Sequence, residues 1–85
     1  MTKKIQYRPH GTCSRMIEVE LDEEGRIIDA KFSGGCSGNT QGISALVKGM
    51  DAHEAIERLS GIKCGFRDTS CPDQLSVALK KLISE

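Results

Sequence analysis

Two alternating stretches on either side of Asp22-Glu23-Glu24-Gly25 constrain this chain more than any other feature. In residues 14–22, Ile17, Val19 and Leu21 share one parity, and Met16, Glu18 and Glu20 the other. In residues 26–33, Ile28, Ala30 and Phe32 share one face, and Ile27, Asp29 and Lys31 the other. Period-two alternation marks a strand with one face buried. A short acidic turn ending in Gly between two such runs makes them an antiparallel hairpin. Matching the apolar faces sets Ile17 opposite Phe32, Val19 opposite Ala30 and Leu21 opposite Ile28. A slip of one residue would turn one apolar set to water, so the register is tightly specified. Continued to the open end, it places Arg15 opposite Gly34 and Cys13 opposite Cys36. Both cysteines then fall on the parity of the buried face. Directly opposed residues lie close in a sheet, so Cys13 and Cys36 are expected within about 7 Å at Cα.

The rest of the chain arranges itself around that hairpin. Residues 3–8 alternate and predict a further strand, which Pro9-His10-Gly11 ends. After the glycine-rich bend Gly34-Gly35-Cys36-Ser37-Gly38-Asn39, the residues Ile43, Leu46, Val47 and Met50 repeat at helical spacing, with Gly49 closing the helix. Asp51 and Glu54 form a capping box for a second helix, with Ala52, Ala55, Ile56 and Leu59 on its inner face and Gly61 after it. Residues 62–69 are irregular. Ser70 and Asp73 read as another capping box, with Pro72 tolerated in the first turn. Leu75, Ala78, Leu79 and Leu82 are the apolar stripe of that last helix. Strands followed by helices predict an α+β domain over 1–85, a three-stranded antiparallel sheet with three helices on one face (βββααα).

Eighty-five residues suffice for one domain with a small core. Twelve Lys+Arg balance twelve Asp+Glu, which argues against a nucleic-acid binder driven by phosphate attraction. With no Trp, one Tyr and two Phe, the chain also lacks a base-stacking platform. Apolar runs reach only two or three residues, against the roughly twenty a membrane-spanning helix needs. Met1–Gln6 carries no apolar signal-peptide stretch. The expectation is a soluble, cytoplasmic protein.

In such a compartment four cysteines call for metal or thiol chemistry rather than disulfides. They are Cys13, Cys36, Cys64 and Cys71, and no two form a C-x-x-C pair, so the fold must gather them. Cys36 and Cys71 both stand at helix starts, where free N–H groups and partial positive charge favour a thiolate. A thiolate is the form that holds a metal or attacks a disulfide. The ordinary alternative, a small buried apolar side chain, suits one cysteine better than three at element junctions. His10, three residues before Cys13, is a further candidate ligand, as is Asp68. Asp73 reads as a cap, and His53 as a solvated residue. No Gly-Lys-Ser/Thr follows the glycine-rich bend, so it is not a phosphate loop. No nucleophile–base pair or paired carboxylates stand out.

Residues 69–73 read Thr-Ser-Cys-Pro-Asp. With Gly11-Thr12-Cys13-Ser14, Phe32-Ser33-Gly34-Gly35-Cys36-Ser37-Gly38-Asn39 and Gly61-Ile62-Lys63-Cys64-Gly65, the chain resembles the TSCPD domain family over nearly its whole length. Members of that family stand alone or form the C-terminal part of adenosylcobalamin-dependent ribonucleotide reductases. The resemblance implies a cysteine-bearing accessory domain linked to deoxynucleotide synthesis, a part of a ribonucleoside-diphosphate reductase system rather than the enzyme itself. A looser resemblance is to U-type iron–sulfur scaffold proteins, whose three cysteines match Cys13, Cys36 and Cys71. The segment Val47-Lys48-Gly49 and Glu54-Ala55 is similar as well. Arg15 replaces the acidic residue usual in those scaffolds and Ser70 the histidine, leaving Cys64 to complete a set of four.

The expected function is a metal-binding accessory domain holding zinc through Cys13, Cys36, Cys64 and Cys71. Tetrahedral Cys₄ zinc sites are commonly structural and suit a small core. An iron–sulfur cluster is the alternative cofactor, and a ribonucleotide reductase a candidate partner. Two other functions stay open: a thiol–disulfide carrier that re-reduces a partner enzyme, and a metal-free interaction domain.

Overall fold

The computed structural model describes residues 2–12, 14–34, 37–63 and 65–84. Three strands, β1 (Lys3–Tyr7), β2 (Ser14–Leu21) and β3 (Ile27–Gly34), precede three helices, α1 (Ser37–Val47), α2 (Ala52–Leu59) and α3 (Cys71–Ile83). The sheet is antiparallel in the order β1-β2-β3, so the expected α+β architecture is present. Helix α3 packs across β1 and β2, α1 lies along β3, and α2 rests on α3.

One apolar cluster holds these layers together. Ile17, Val19, Leu21, Ile27 and Ala30 supply the sheet side, and Leu75, Ala78, Leu79 and Leu82 of α3, all with no exposed surface, the helix side. Each large aliphatic side chain buried this way is worth about 1.5–3 kcal/mol. The α3 stripe is the one the sequence predicts. Asp51 caps α2 as expected, its carboxylate accepting from the His53 and Glu54 amides.

The centre of the hairpin follows the expected register, with Ile17 opposite Phe32 and Val19 opposite Ala30. Both of its ends depart from it. At the turn end Leu21 pairs with Ile27, leaving Ile28 as an extra residue. Ile27 is then the buried one at 1% exposure, and Ile28 points outward at 39%. At the open end Ser14, not Arg15, pairs with Gly34, and Met16 pairs with Ser33. Arg15 is the extra residue there. A bulge of one residue reverses the in–out parity beyond it, so Ser14 is buried and Arg15 exposed. The extrapolated pairing of Cys13 with Cys36 falls on residues outside those described, and the register that suggested it ends at the bulge.

Helix α1 corrects another expectation. Its inner face is Thr40, Ile43 and Val47, whereas Leu46 is 75% exposed. One residue turns a helix by about 100°, which carries Leu46 away from the Val47 side. After α1, Gly49 adopts φ +83 and the chain runs beside the start of β3. The Ile27 amide donates to Met50 O at 2.9 Å and the Gly49 amide to Ile27 O at 2.7 Å. Among the described residues no helix is long and apolar enough to cross a membrane.

Candidate functional site

The topology collects one end of the molecule around the start of α3. Strands β1 and β3 and helix α2 finish there, and β2, α1 and α3 begin there. The segment Thr69–Gln74 fastens these pieces by hydrogen bonds from nearly every side chain it carries.

Ser70 is the N-cap, its Oγ accepting from the Asp73 amide at 3.2 Å. The same hydroxyl donates to Ile62 O at 2.6 Å. The Asp73 carboxylate accepts from the Gly61 amide at 2.7 Å and from the Thr69 hydroxyl at 2.5 Å. These donors, Thr69 first and Gly61 second, hold the Asp73 carboxyl below its ordinary value. Gln74, buried, donates through Nε2 to Thr69 Oγ1 at 2.9 Å. Its Oε1 accepts from the Tyr7 hydroxyl at 3.0 Å and from the His10 amide at 3.1 Å. Gly11 closes the array from the other side. It has φ +72, and a Cβ there would stand 2.8 Å from Thr69 Cγ2. Only glycine suits both the left-handed backbone and the close approach. Among the described residues no buried side-chain polar atom lacks a partner, so the cluster is a completed network.

Cys71 sits within it, half-buried in the first turn of α3. Its Sγ lies 2.9 Å from the buried Ser14 Oγ. Ser14 is the residue after Cys13 and pairs with Gly34, two residues before Cys36. Ile62, which Ser70 holds, is two residues before Cys64. Thus described residues within two positions of all three other cysteines are tied, directly or through one pairing, to the start of α3. Cys13, Cys36 and Cys64 themselves lie outside the described residues. Among the described residues no three of His, Cys, Asp and Glu stand together as a metal-binding group.

The other sequence candidates can be placed. His10 contributes its backbone amide to Gln74 and leaves an exposed side chain. Asp68 is exposed. Ser70 is the cap of α3, and the two oxygens of Asp73 bind the Gly61 amide, just past α2, and the Thr69 hydroxyl. His53 is exposed on α2. Sequence reasoning passed over Ser14, Gln74 and Gly11. A signal for Gln74 was present, because it is a polar residue immediately before the apolar stripe of α3. For Ser14 there was none, since its inward position depends on the bulge at Arg15.

The Ser14 hydroxyl beside Cys71 Sγ is the kind of neighbour that can orient a sulfur ligand. The family model of the TSCPD domain matches residues 1–83. No curated protein and no solved structure gives a significant match. The chain therefore belongs to the TSCPD domain family.

Proposed function

We propose that this TSCPD domain is a small metal-binding accessory module holding zinc through Cys71 together with Cys13, Cys36 and Cys64. One observation carries the reading: the start of α3, with Cys71 beside Ser14, gathers the described neighbours of all the other cysteines. Four thiolates suit zinc, and a metal at this point would brace the junction of β2, β3 and α3. Cysteine ligation also suits an iron–sulfur cluster, the alternative cofactor. The chain would act in the cytoplasm beside a larger enzyme, with a ribonucleotide reductase as the candidate partner on family grounds. It would contribute there to deoxynucleotide synthesis and not carry out the reduction alone.

The test is elemental analysis with a visible spectrum on protein purified under reducing conditions. The expected result is about one zinc per chain and a colourless protein. Iron with visible absorption would transfer the reading to a cluster, and no metal at all would overturn it. Replacing Cys36 by Ser should lower metal content and melting temperature together, because in a small domain metal-binding energy is folding energy. Loss of metal with unchanged melting would remove the structural role.

The same observation also suits a second reading. A thiolate at a helix start beside a hydroxyl is equally placed to attack a disulfide, as a redox carrier would. A defined dithiol–disulfide potential in metal-free protein would favour that carrier.

A further inference from the structure

The chain is neutral overall, yet its loop charges are sorted by end. At the start of α3, residues 8–15 and 60–73 carry Arg8, Arg15, Lys63 and Arg67 against two acidic residues, Asp68 and Asp73. At the opposite end, residues 22–26 and 48–54 carry Asp22, Glu23, Glu24, Asp51 and Glu54 against Arg26 and Lys48. All four basic residues of the first set are exposed.

The basic end also holds the most exposed aromatic ring. Phe66 is as open as in an extended peptide, at 108% exposure, and Ile62 on the same loop is 42% exposed. Phe66 lines an open groove of about 490 Å³ with Gly11, Thr12, Arg67, Asp68 and Thr69. One flank is firm: Gly11 stands against Thr69, and the Arg67 Nη1 group points to Gly11 O at 3.5 Å. A chain with two Phe and no Trp thus leaves one Phe in water, beside an Arg. Aromatic and Arg side chains are the residues enriched at the centres of protein interfaces.

We propose that this end is a docking surface for an acidic protein segment carrying an apolar anchor. Phe66 in the groove receives the anchor, and Arg67 beside it and Lys63 on the same loop meet the acidic flanks. Charge complementarity selects the occupant, since opposite potentials steer encounter and fix register. Nucleic acid is the weaker fit, because one ring gives one stacking platform and four dispersed charges release few counterions. The surface extends the accessory-module reading but does not need the metal.

The experiment is an NMR titration of the whole chain, used as purified with its metal content recorded, so that docking and metal binding can fail separately. The probe is a short peptide of Asp and Glu flanking a central Leu-Phe pair. The expected result is saturable shifts confined to residues 8–15 and 60–70, weakening with added salt. Phe66→Ser and Arg67→Glu should each reduce affinity about ten-fold or more while leaving other signals in place. Both side chains are exposed, so neither change threatens folding. No shifts at millimolar peptide, shifts at the acidic end, or unaltered binding by Phe66→Ser would each overturn the proposal. So would tighter binding of a single-stranded oligothymidylate. Concentration-dependent shifts without peptide would assign the surface to a second copy of this chain and overturn it likewise.

Discussion

Helix α3 is held by two different kinds of force along its length. From Leu75 to Leu82 it is bound by non-directional burial, with four apolar side chains fully inside. In its first turn it is bound by directed hydrogen bonds, with Ser70, Asp73 and Gln74 each making at least two. Burial tolerates small displacements, because its energy scales with area. Hydrogen bonds do not, because they weaken steeply with distance and angle. The later turns therefore supply stability, and the first turn supplies position. What is positioned is Cys71, the motif side chain left with chemistry still to do.

The largest expected effect tests the stability half of this contrast. Leu79→Ala should cost about 2–5 kcal/mol, the transfer energy of the lost atoms plus a cavity term. Chemical denaturation should show this as a lower midpoint. A domain of this size has only about 5–15 kcal/mol in all. A loss below about 1 kcal/mol would mean that the α3 stripe is not the anchor of the core.

Asp73→Asn tests the other half and should cost less, about 1–2 kcal/mol. The amide keeps one acceptor but turns an N–H₂ group toward either Thr69 or Gly61. The pH dependence carries a definite sign. The Asp73 carboxyl is held below the ordinary value of 3.8, so the folded state prefers it ionised. Its contribution is complete above the unfolded pKa and is lost as pH falls through the folded value. The gap between wild type and Asp73→Asn should therefore be constant near neutrality and close below about pH 4. A gap that widens on acidification, or one as large as that of Leu79→Ala, would break the division between the two parts of the helix.

That division also explains what was legible in the sequence. The α3 stripe and the pairs Ile17–Phe32 and Val19–Ala30 follow from periodicity, which is a local pattern. The Ser70 cap was readable because its partner amide is three residues away. The reach of Asp73 to Gly61 and of Gln74 to Tyr7 and His10 was not, because those partners are distant in sequence and no period connects them. The bulges at Arg15 and Ile28 show the limit of extrapolation. Each is one inserted residue, and each reverses parity for everything beyond it. The error at Arg15 matters most, since it turns Ser14 inward and carries the register argument for Cys13 and Cys36 past the point where the alternation holds. The TSCPD motif was visible as a string of residues, but its role as a fastening appeared only once β1 and the loop after α2 were placed against it.

Ser14→Ala is the smallest change in stability and the sharpest test of what the first turn is for. The thiol is a weak hydrogen-bonding partner, so removing the Ser14 hydroxyl should cost less than about 1 kcal/mol. Its effect on Cys71 chemistry should be larger in proportion. The hydroxyl lies 2.9 Å from Sγ and can donate to a thiolate, whereas an alanine methyl cannot. In the reduced, metal-free protein, Cys71 should be the most reactive of the four thiols, because it sits in the first turn of a helix beside the Ser14 hydroxyl, with Lys63 and Arg67 close in sequence. Alkylation with a limiting reagent across pH, mapped residue by residue, should then find Cys71 slowed about three-fold or more in Ser14→Ala at neutral pH. The other cysteines serve as internal controls in the same sample. Equal slowing at all four would indicate a general loosening of the fold. Labelling of Cys64 before Cys71 in the wild type would show that the helix start does not activate this sulfur. The first turn would then fasten the chain without preparing a ligand, and Cys71 would be one more buried side chain in the stripe that follows it.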